Sequence, residues 1–341
     1  MEEKLQALVR LPQRASYVRS LSISLTSSVT HPPLLLGSCL EAVPNLQCLS
    51  VTVPTNDKLH TILTHRLCII LSNCSPLFRF RLDEFECDAQ AITSSALPGM
   101  FPFLTSQPTI RRLSVRRMRV FESFWCAPLP QRLEESGCST GNPLLPSLEC
   151  YMGPSSFAAL FLHGLEKALS VEVYASDIAI DSKTDSSHNL PPETVVTHSF
   201  SIWGDNPYDE VEDDIPSPIE TTRFIFEQVT RILPSAYIID MRSLYTLRIG
   251  LARPINILSS PNHTILFPSI YSLIESLPSL ERLELPNTHF LGGQEFYRAI
   301  TGAASNSGPW QMLPELVQGC ERRAPKLRHM VLADRARPGF M

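Results

Sequence analysis

The chain has little of what nucleotide-dependent enzymes and nucleic-acid-binding proteins need. Its 14 glycines include one Gly-Gly pair, and neither a G-x-G-x-x-G fingerprint nor a Walker A loop occurs. These absences argue against a phosphate-binding loop and weaken the alternative of a doubly wound nucleotide-binding sheet. The formal net charge of −5 gives no overall attraction to nucleic acid or to an anionic membrane.

Metal-binding and secretory signals are also missing. The nine cysteines are scattered without a C-x-x-C pair, and the nine histidines form neither H-E-x-x-H nor a zinc-type pairing. We therefore predict buried free thiols, no metal and no cofactor. The start of the chain, MEEKLQALVR, lacks an apolar signal core, and the longest apolar stretch, around 59–71, is too short and too polar to span a bilayer. These features predict a soluble protein of the cytoplasm or nucleus.

What the sequence does contain is a recurring strand-like phrase, most clearly Pro-x-Leu-x-x-Leu-x-Leu. The phrase occurs at 44–51, 108–115, 278–285 and 325–332. Looser versions lie at 18–25, 78–85, 146–153 and 242–249, and further units begin near 164 and 195. The early starts at 44, 76 and 108 are 32 residues apart, which suits one strand, one helix and two connections.

Apolar segments between these phrases predict helices at 34–42, 57–73, 99–106, 155–163, 219–233, 268–277, 294–303 and 310–323. Strands that alternate with helices form parallel sheets, because parallel strands need a crossover connection. We predict an irregular α/β solenoid of leucine-rich-repeat type, with a parallel sheet on one side and helices on the other. It would form a single repeat domain over 1–341, with surface loops at 176–194 and 204–218.

Strand alternation divides each phrase into core positions and outward positions. The predicted core positions are Leu46, Leu49, Val51, Ile110, Leu113, Val115, Leu280, Leu283, Leu285, Leu327 and Met330. The outward positions are Cys48, Ser50, Arg112, Ser114, Arg116, Thr246, Arg248, Arg282, Glu284 and His329. Four of these ten are arginine and one is acidic, which predicts a basic face.

Arginine gives planar, bidentate recognition of carboxylate and phosphate groups, so a basic face would suit an acidic or phosphorylated protein segment. The residues predicted to contact such a partner are Arg112, Ser114, Arg116, Arg248, Arg282 and His329. For the densest basic cluster, Arg111, Arg112, Arg116, Arg117 and Arg119, a solvated strand and turn with no binding role is the alternative, and the negative net charge argues against a nucleic-acid contact.

One string resembles a hydrolase motif. Residues 137–141 read Gly-Cys-Ser-Thr-Gly, a G-x-S-x-G in which Ser139 would be the nucleophile. A nucleophile elbow needs an apolar strand before the serine and a helix after it. Here QRLEES precedes, and Pro143 disfavours a helix at Asn142. We therefore predict a loop, with a serine hydrolase using Ser139 as the alternative function.

The stretches YVRSLSISL (17–25), LEAVPNLQCLSV (40–51), FPFLTSQPTIRRLSV (101–115) and 144–173 resemble the leucine-rich-repeat-like regions of F-box proteins, particularly those of mushroom-type fungi. The resemblance implies a substrate receptor of a ubiquitin ligase, in which the F-box binds the adaptor and the repeats bind the target. An F-box opens with a Leu-Pro-x-Glu phrase, and residues 1–16 contain none. We expect a non-enzymatic protein-recognition scaffold, with adaptor binding only if an F-box is missing upstream. A remnant scaffold without F-box function is the other possibility.

Overall fold

The computed structural model describes residues 2–25, 32–53, 60–91, 96–118, 143–153, 158, 161–162, 165–174, 195–203, 239–250, 262–286, 294–297 and 313–333. Contacts divide the chain into two compact units, unit 1 (Met1–Leu165) and unit 2 (Glu166–Met341). The loops predicted at 176–194 and 204–218, the helix predicted at 219–233 and the motif around Ser139 lie outside the described residues. That 1–341 form one repeat domain stays a prediction.

Unit 1 contains parallel strands that follow one another in chain order across the sheet. They are β1 (Ser20–Ser24), β2 (Cys48–Thr52), β3 (Glu84–Ala91), β4 (Arg112–Met118) and β5 (Cys150–Gly153). The α-helices whose bounds are described are α1 (Glu2–Arg10), α2 (Pro12–Ala15), α3 (Pro32–Ala42), α4 (His60–Cys74) and α5 (Ala96–Thr105). Helix α3 packs against α1 and α4, and α4 also packs against α5 and β3.

Unit 2 contains a second run of mostly parallel strands. They are β6 (Lys167–Tyr174), β7 (Val195–Trp203), β8 (Ile239–Asp240), β9 (Thr246–Gly250), β10 (Arg282–Pro286), β11 (Gln294–Tyr297) and β12 (His329–Ala333). Their order is β6-β7-β9-β10-β12-β11, with β8 paired to β7. The helices described here are α6 (Asn262–Glu275) and α7 (Leu313–Arg323). The prediction of an α/β protein with a parallel sheet is thus confirmed.

Five repeats enter their strands through the same β-turn. The N–H of Leu46 donates to the carbonyl of Val43 at 3.4 Å, three residues back. The same bond recurs from Ile110, Leu148, Leu280 and Leu327. The second residue of every turn is proline, whose fixed φ suits that position. These prolines are Pro44, Pro108, Pro146, Pro278 and Pro325. The turn explains why proline opens the repeated phrase.

A second bond pattern links each repeat to the next. The carbonyl of Arg19 accepts the N–H groups of both Gln47 and Cys48, at 2.8 and 2.9 Å. The carbonyls of Gln47, Asp83 and Arg111 each accept two N–H groups of the following repeat in the same way, and so do those of Tyr245 and Glu281 in unit 2. The first residues of these adjacent strands are therefore aligned across the sheet.

The strand predicted within 78–85 is displaced toward the C-terminus, since β3 begins only at Glu84. This repeat lacks the proline turn, and the next repeat supplies replacement bonds. The fully buried Gln107 accepts the N–H of Leu82 on its side-chain oxygen at 3.0 Å. The Thr109 hydroxyl donates to the carbonyl of Leu82 at 2.8 Å. The side chains of Gln107 and Thr109 thus replace the missing turn by bonding the backbone of Leu82, just before β3.

The helix predicted at 294–303 is wrong at its start, because Gln294–Tyr297 form β11, which pairs antiparallel with β12. The segment reads QEFY, and its two adjacent aromatic residues favour a strand. By contrast, all eleven predicted core residues are buried, with exposed fractions of 0–5%. The core register of the repeats is therefore confirmed.

Helices α6 and α7 meet at a position where a side chain has no room. A methyl group on Gly319 would overlap the ring of Tyr271. That ring cannot swing away freely, because the Tyr271 hydroxyl donates to the carbonyl of Glu315 at 3.1 Å and the Arg323 guanidinium lies 4.3 Å from the ring centre. Arg323 is itself held by Glu275 at 2.8 Å.

We expect Gly319→Ala to lower the free energy of unfolding by roughly 1–3 kcal/mol, as overpacking does. Gln318→Ala, at an exposed neighbouring position of the same helix, is the matched control and should change it by less than ~0.5 kcal/mol. Equilibrium urea unfolding measures both. Equal stability of the two variants would show that Tyr271 relaxes without cost.

Candidate functional site

In unit 1, the side chains that point away from the buried positions form a polar surface. This unit 1 strand face consists of Ser20, Ser22 and Ser24 on β1, Cys48, Ser50 and Thr52 on β2, Glu84, Glu86 and Asp88 on β3, Arg112 and Ser114 on β4, and Cys150 and Met152 on β5. Parallel pairing in register aligns these residues in rows that cross the strands. From β1 to β4 the face therefore passes from a serine column, through the Cys, Ser and Thr side chains of β2 and the carboxylate column of β3, to Arg112 and Ser114 on β4.

The carboxylate column of β3 lies directly beside the residues predicted as a basic site. The Arg112 guanidinium is 3.1 Å from a Glu84 carboxylate oxygen, and the two side chains are 67% and 46% exposed. The Ser50 hydroxyl donates to Glu86 at 3.1 Å. Ser114 is half-buried, and Arg116 lies opposite Asp88 in the strand register. An exposed pair such as Arg112–Glu84 adds little stability, so a partner can displace it at small cost.

In unit 2, the predicted arginines converge on one buried carboxylate. Glu284 is 3% exposed and accepts hydrogen bonds from Nε of Arg248 at 2.6 Å and from Nε of Arg282 at 2.9 Å. A terminal nitrogen of Arg248 also lies 4.0 Å from Glu172. We call these four residues the unit 2 ion-pair cluster. Its two positive and two negative charges balance.

Strand register explains how this cluster is built. Glu172 on β6, Ser201 on β7 and Arg248 on β9 occupy one row, so Arg248 reaches Glu172 across the intervening serine. Ser201 is fully buried, and its hydroxyl oxygen has no hydrogen-bond partner among the described residues. A larger residue there would obstruct the arginine. Arg248 and Arg282, at 24% and 30% exposed, are thus integral to the packing of unit 2.

The remaining predicted residue, His329, is half-buried on β12 opposite Arg282. A small aromatic surface is formed by His198 on β7 and Tyr245, which immediately precedes β9; their rings are 5.2 Å apart and Tyr245 is 42% exposed. Sequence reasoning missed this pair. Nothing in the repeat phrase marks it, because both residues occupy positions that the phrase leaves variable.

The prediction of a basic face is wrong for the described strands. The count of one acidic residue omitted the carboxylates of β3 and β6, namely Glu84, Glu86, Asp88 and Glu172. In unit 1 three carboxylates lie beside the two arginine positions of β4, and in unit 2 Glu172 and Glu284 balance Arg248 and Arg282. The β3 residues were missed because the predicted outward positions included no residue of the looser phrase at 78–85. Glu172 was missed because its repeat lacks the leucine pattern, although VEV in 171–173 shows the alternation.

Several thiols are described, and those in the core are poor nucleophiles. Burial raises the pKa of Cys39 to about 11 and the pKa values of Cys68 and Cys320 to about 12. These groups stay protonated at neutral pH, which confirms them as buried free thiols. Cys48, on the unit 1 strand face, also has a raised pKa because of partial burial and nearby carboxylates.

No protein-family model and no curated protein sequence matches the chain. Among solved structures, it is similar to the crystal structure of a TLR13–ssRNA13 complex, at 8% sequence identity and a TM-score of 0.27. The match covers 82% of this chain and 38% of that chain. Such a score does not establish a common fold. None of the helices within the described ranges has the length and apolar character of a membrane span. The class defined here is an α/β protein with a parallel sheet and a polar strand face.

Proposed function

We propose that the chain is a non-enzymatic protein-recognition scaffold, in which the repeats form an irregular solenoid of leucine-rich-repeat type. The observation that supports this function is the unit 1 strand face, where adjacent strands present polar, solvent-accessible side chains from a rigid sheet. Strands are ~4.8 Å apart, so the side chains form a regular grid that can match an extended or folded protein segment. Repeat proteins commonly bind partners on such surfaces. The role resembles that of the target-binding region of an F-box receptor.

The corrected charges change the partner that fits best. An acidic or phosphorylated segment could reach Arg112 only beside Glu84, and it would lie next to the carboxylates of β3. A segment with charges of both signs matches the adjacent columns of β3 and β4 better. Arg112, Ser114 and Arg116 remain the proposed contacts of unit 1. Arg248, Arg282 and His329 are weaker candidates, because the two arginines bind Glu284 and are mostly buried.

Site-specific photo-crosslinking tests this proposal. A photoreactive amino acid placed at Ser50 or Ser114 should yield a defined adduct with a partner protein from the native host. As the matched control, the photoreactive amino acid at Ile62 or Ile69, exposed positions of α4, should yield no such adduct. Excess unmodified chain should compete the adduct away. The proposal fails if the helix positions form the same adduct or if no competable adduct forms on the strand face.

A further inference from the structure

Strand β1 forms one edge of the unit 1 sheet, and among the described strands it pairs with β2 alone. The N–H of Leu25 donates to Thr52 at 2.8 Å, and the carbonyl of Arg19 accepts from Cys48 at 2.9 Å. Odd-numbered residues therefore bond toward β2. Because backbone groups alternate along a strand, the N–H and C=O groups of Ser20, Ser22 and Ser24 point toward the opposite edge.

This edge lacks the features that usually prevent strand addition. Natural edge strands are protected by charged side chains, proline or bulges, and β1 reads Ser-Leu-Ser-Ile-Ser. Its pairing with β2 is regular over all five residues. The nearest charge, Arg19, is turned to the carbonyls of Ser16 and Asn45 at 3.1 and 3.3 Å. The edge is thus uncharged and free of bulges.

The sequence of β1 is also self-complementary. We propose that two copies of this chain associate through β1, antiparallel, about a twofold axis at Ser22. In this register Ser22 faces its own copy, Ser20 faces Ser24, and Leu21 faces Ile23. Hydroxyl groups meet hydroxyl groups and apolar side chains meet apolar ones. Each copy contributes three N–H donors and three carbonyl acceptors, and all of them are paired.

Exposed apolar side chains near β1 also favour a second copy of this chain as the partner. Val9, Leu11 and Tyr17, which precede β1, are 39%, 43% and 83% exposed. They lie at the β1 end of the unit, because α1 packs on α3, the helix that follows β1. A stable dimer buries roughly 1,000 Å² or more, which exceeds what three strand residues provide. These side chains supply the additional apolar area.

Light scattering of the full 341-residue chain during size-exclusion chromatography, over a series of concentrations, tests the proposal. We expect the mass to approach twice that of the monomer as concentration rises. Ser22→Pro removes a donor that β2 does not use, so it spares the β1–β2 ladder. It should raise the dimer dissociation constant by roughly 30-fold or more, from loss of the two bonds exchanged at the axis. Ser22→Ala, which keeps the backbone donor, should leave that constant unchanged.

A second pair of variants covers the case in which proline disturbs folding. Ser22→Lys places two ammonium groups against each other at the axis and should weaken the dimer. Ser50→Lys adds the same charge to the same row on β2, where it faces no copy of itself, and should not. Hydrogen exchange should slow with concentration at Ser20, Ser22 and Ser24 and stay constant at Leu21 and Ile23. A monomer at every concentration, a dimer indifferent to both Ser22→Pro and Ser22→Lys, or growth beyond two copies would overturn the proposal, since a twofold contact closes at the dimer.

Discussion

Replacing Glu284 with alanine should lower the free energy of unfolding by about 3–5 kcal/mol, because it leaves the guanidinium groups of Arg248 and Arg282 without their shared buried partner. The carboxylate is 3% exposed, so water cannot easily replace it. Urea unfolding followed by circular dichroism measures the loss. Because Glu284 is shielded from solvent, the loss of stability should change little with added salt.

The exposed pair of unit 1 provides the matched control. Glu84→Ala removes a carboxylate that also binds arginine, with Arg112 3.1 Å away, but both side chains are largely in solvent. Glu84→Ala should lower the free energy of unfolding by less than ~1 kcal/mol, and added salt should make this loss smaller still. Similar losses for Glu84→Ala and Glu284→Ala would mean that burial does not distinguish the two pairs.

Truncation of Leu49 to alanine should cost about 2–5 kcal/mol, since it removes apolar atoms and leaves a cavity. Leu49 is 1% exposed and lies in register between Leu21 and Phe85 on the adjacent strands. Leu77→Ala is the control for the side-chain change itself, because Leu77 is 58% exposed and should cost less than ~1 kcal/mol. The urea concentrations at which Leu49→Ala and Leu77→Ala are half unfolded measure this difference. Indistinguishable midpoints would contradict the packing role of the repeated leucines.

The sequence predicted the fold where local chemistry and burial agree. The proline turn at Val43–Leu46 and its counterparts place the following leucines in the core, so the strands that follow could be predicted to within a few residues. At 78–85 no such turn exists, and the entry to β3 depends on Gln107 and Thr109, more than twenty residues later. A bond between residues that far apart leaves no periodic mark in the sequence. The start of β3 was therefore misplaced.

The candidate site was harder to predict, because its charges are paired across strands. Arg112 meets Glu84, and Arg248 meets Glu284 and Glu172, which are 28 to 76 positions apart in the sequence. These arginines lie on the predicted side of their strands, but the carboxylates beside them were not predicted. An electrostatic face is the sum over adjacent strands, and in unit 1 the three carboxylates of the displaced β3 outnumber the two arginine positions of β4. Whether the face binds a partner stays a prediction.

The carbonyls that each accept two N–H groups have a consequence for how such a protein can change length. The strands of unit 1 start at residues 20, 48, 84, 112 and 150, so successive repeats differ in length by up to ten residues. Alignment of the strands nevertheless persists, because it is fixed by one carbonyl at each junction and not by the number of residues between junctions. Insertions on the helical side can accumulate without moving the strand face. The length of a repeat and the alignment of the strand face are thus structurally independent in this architecture.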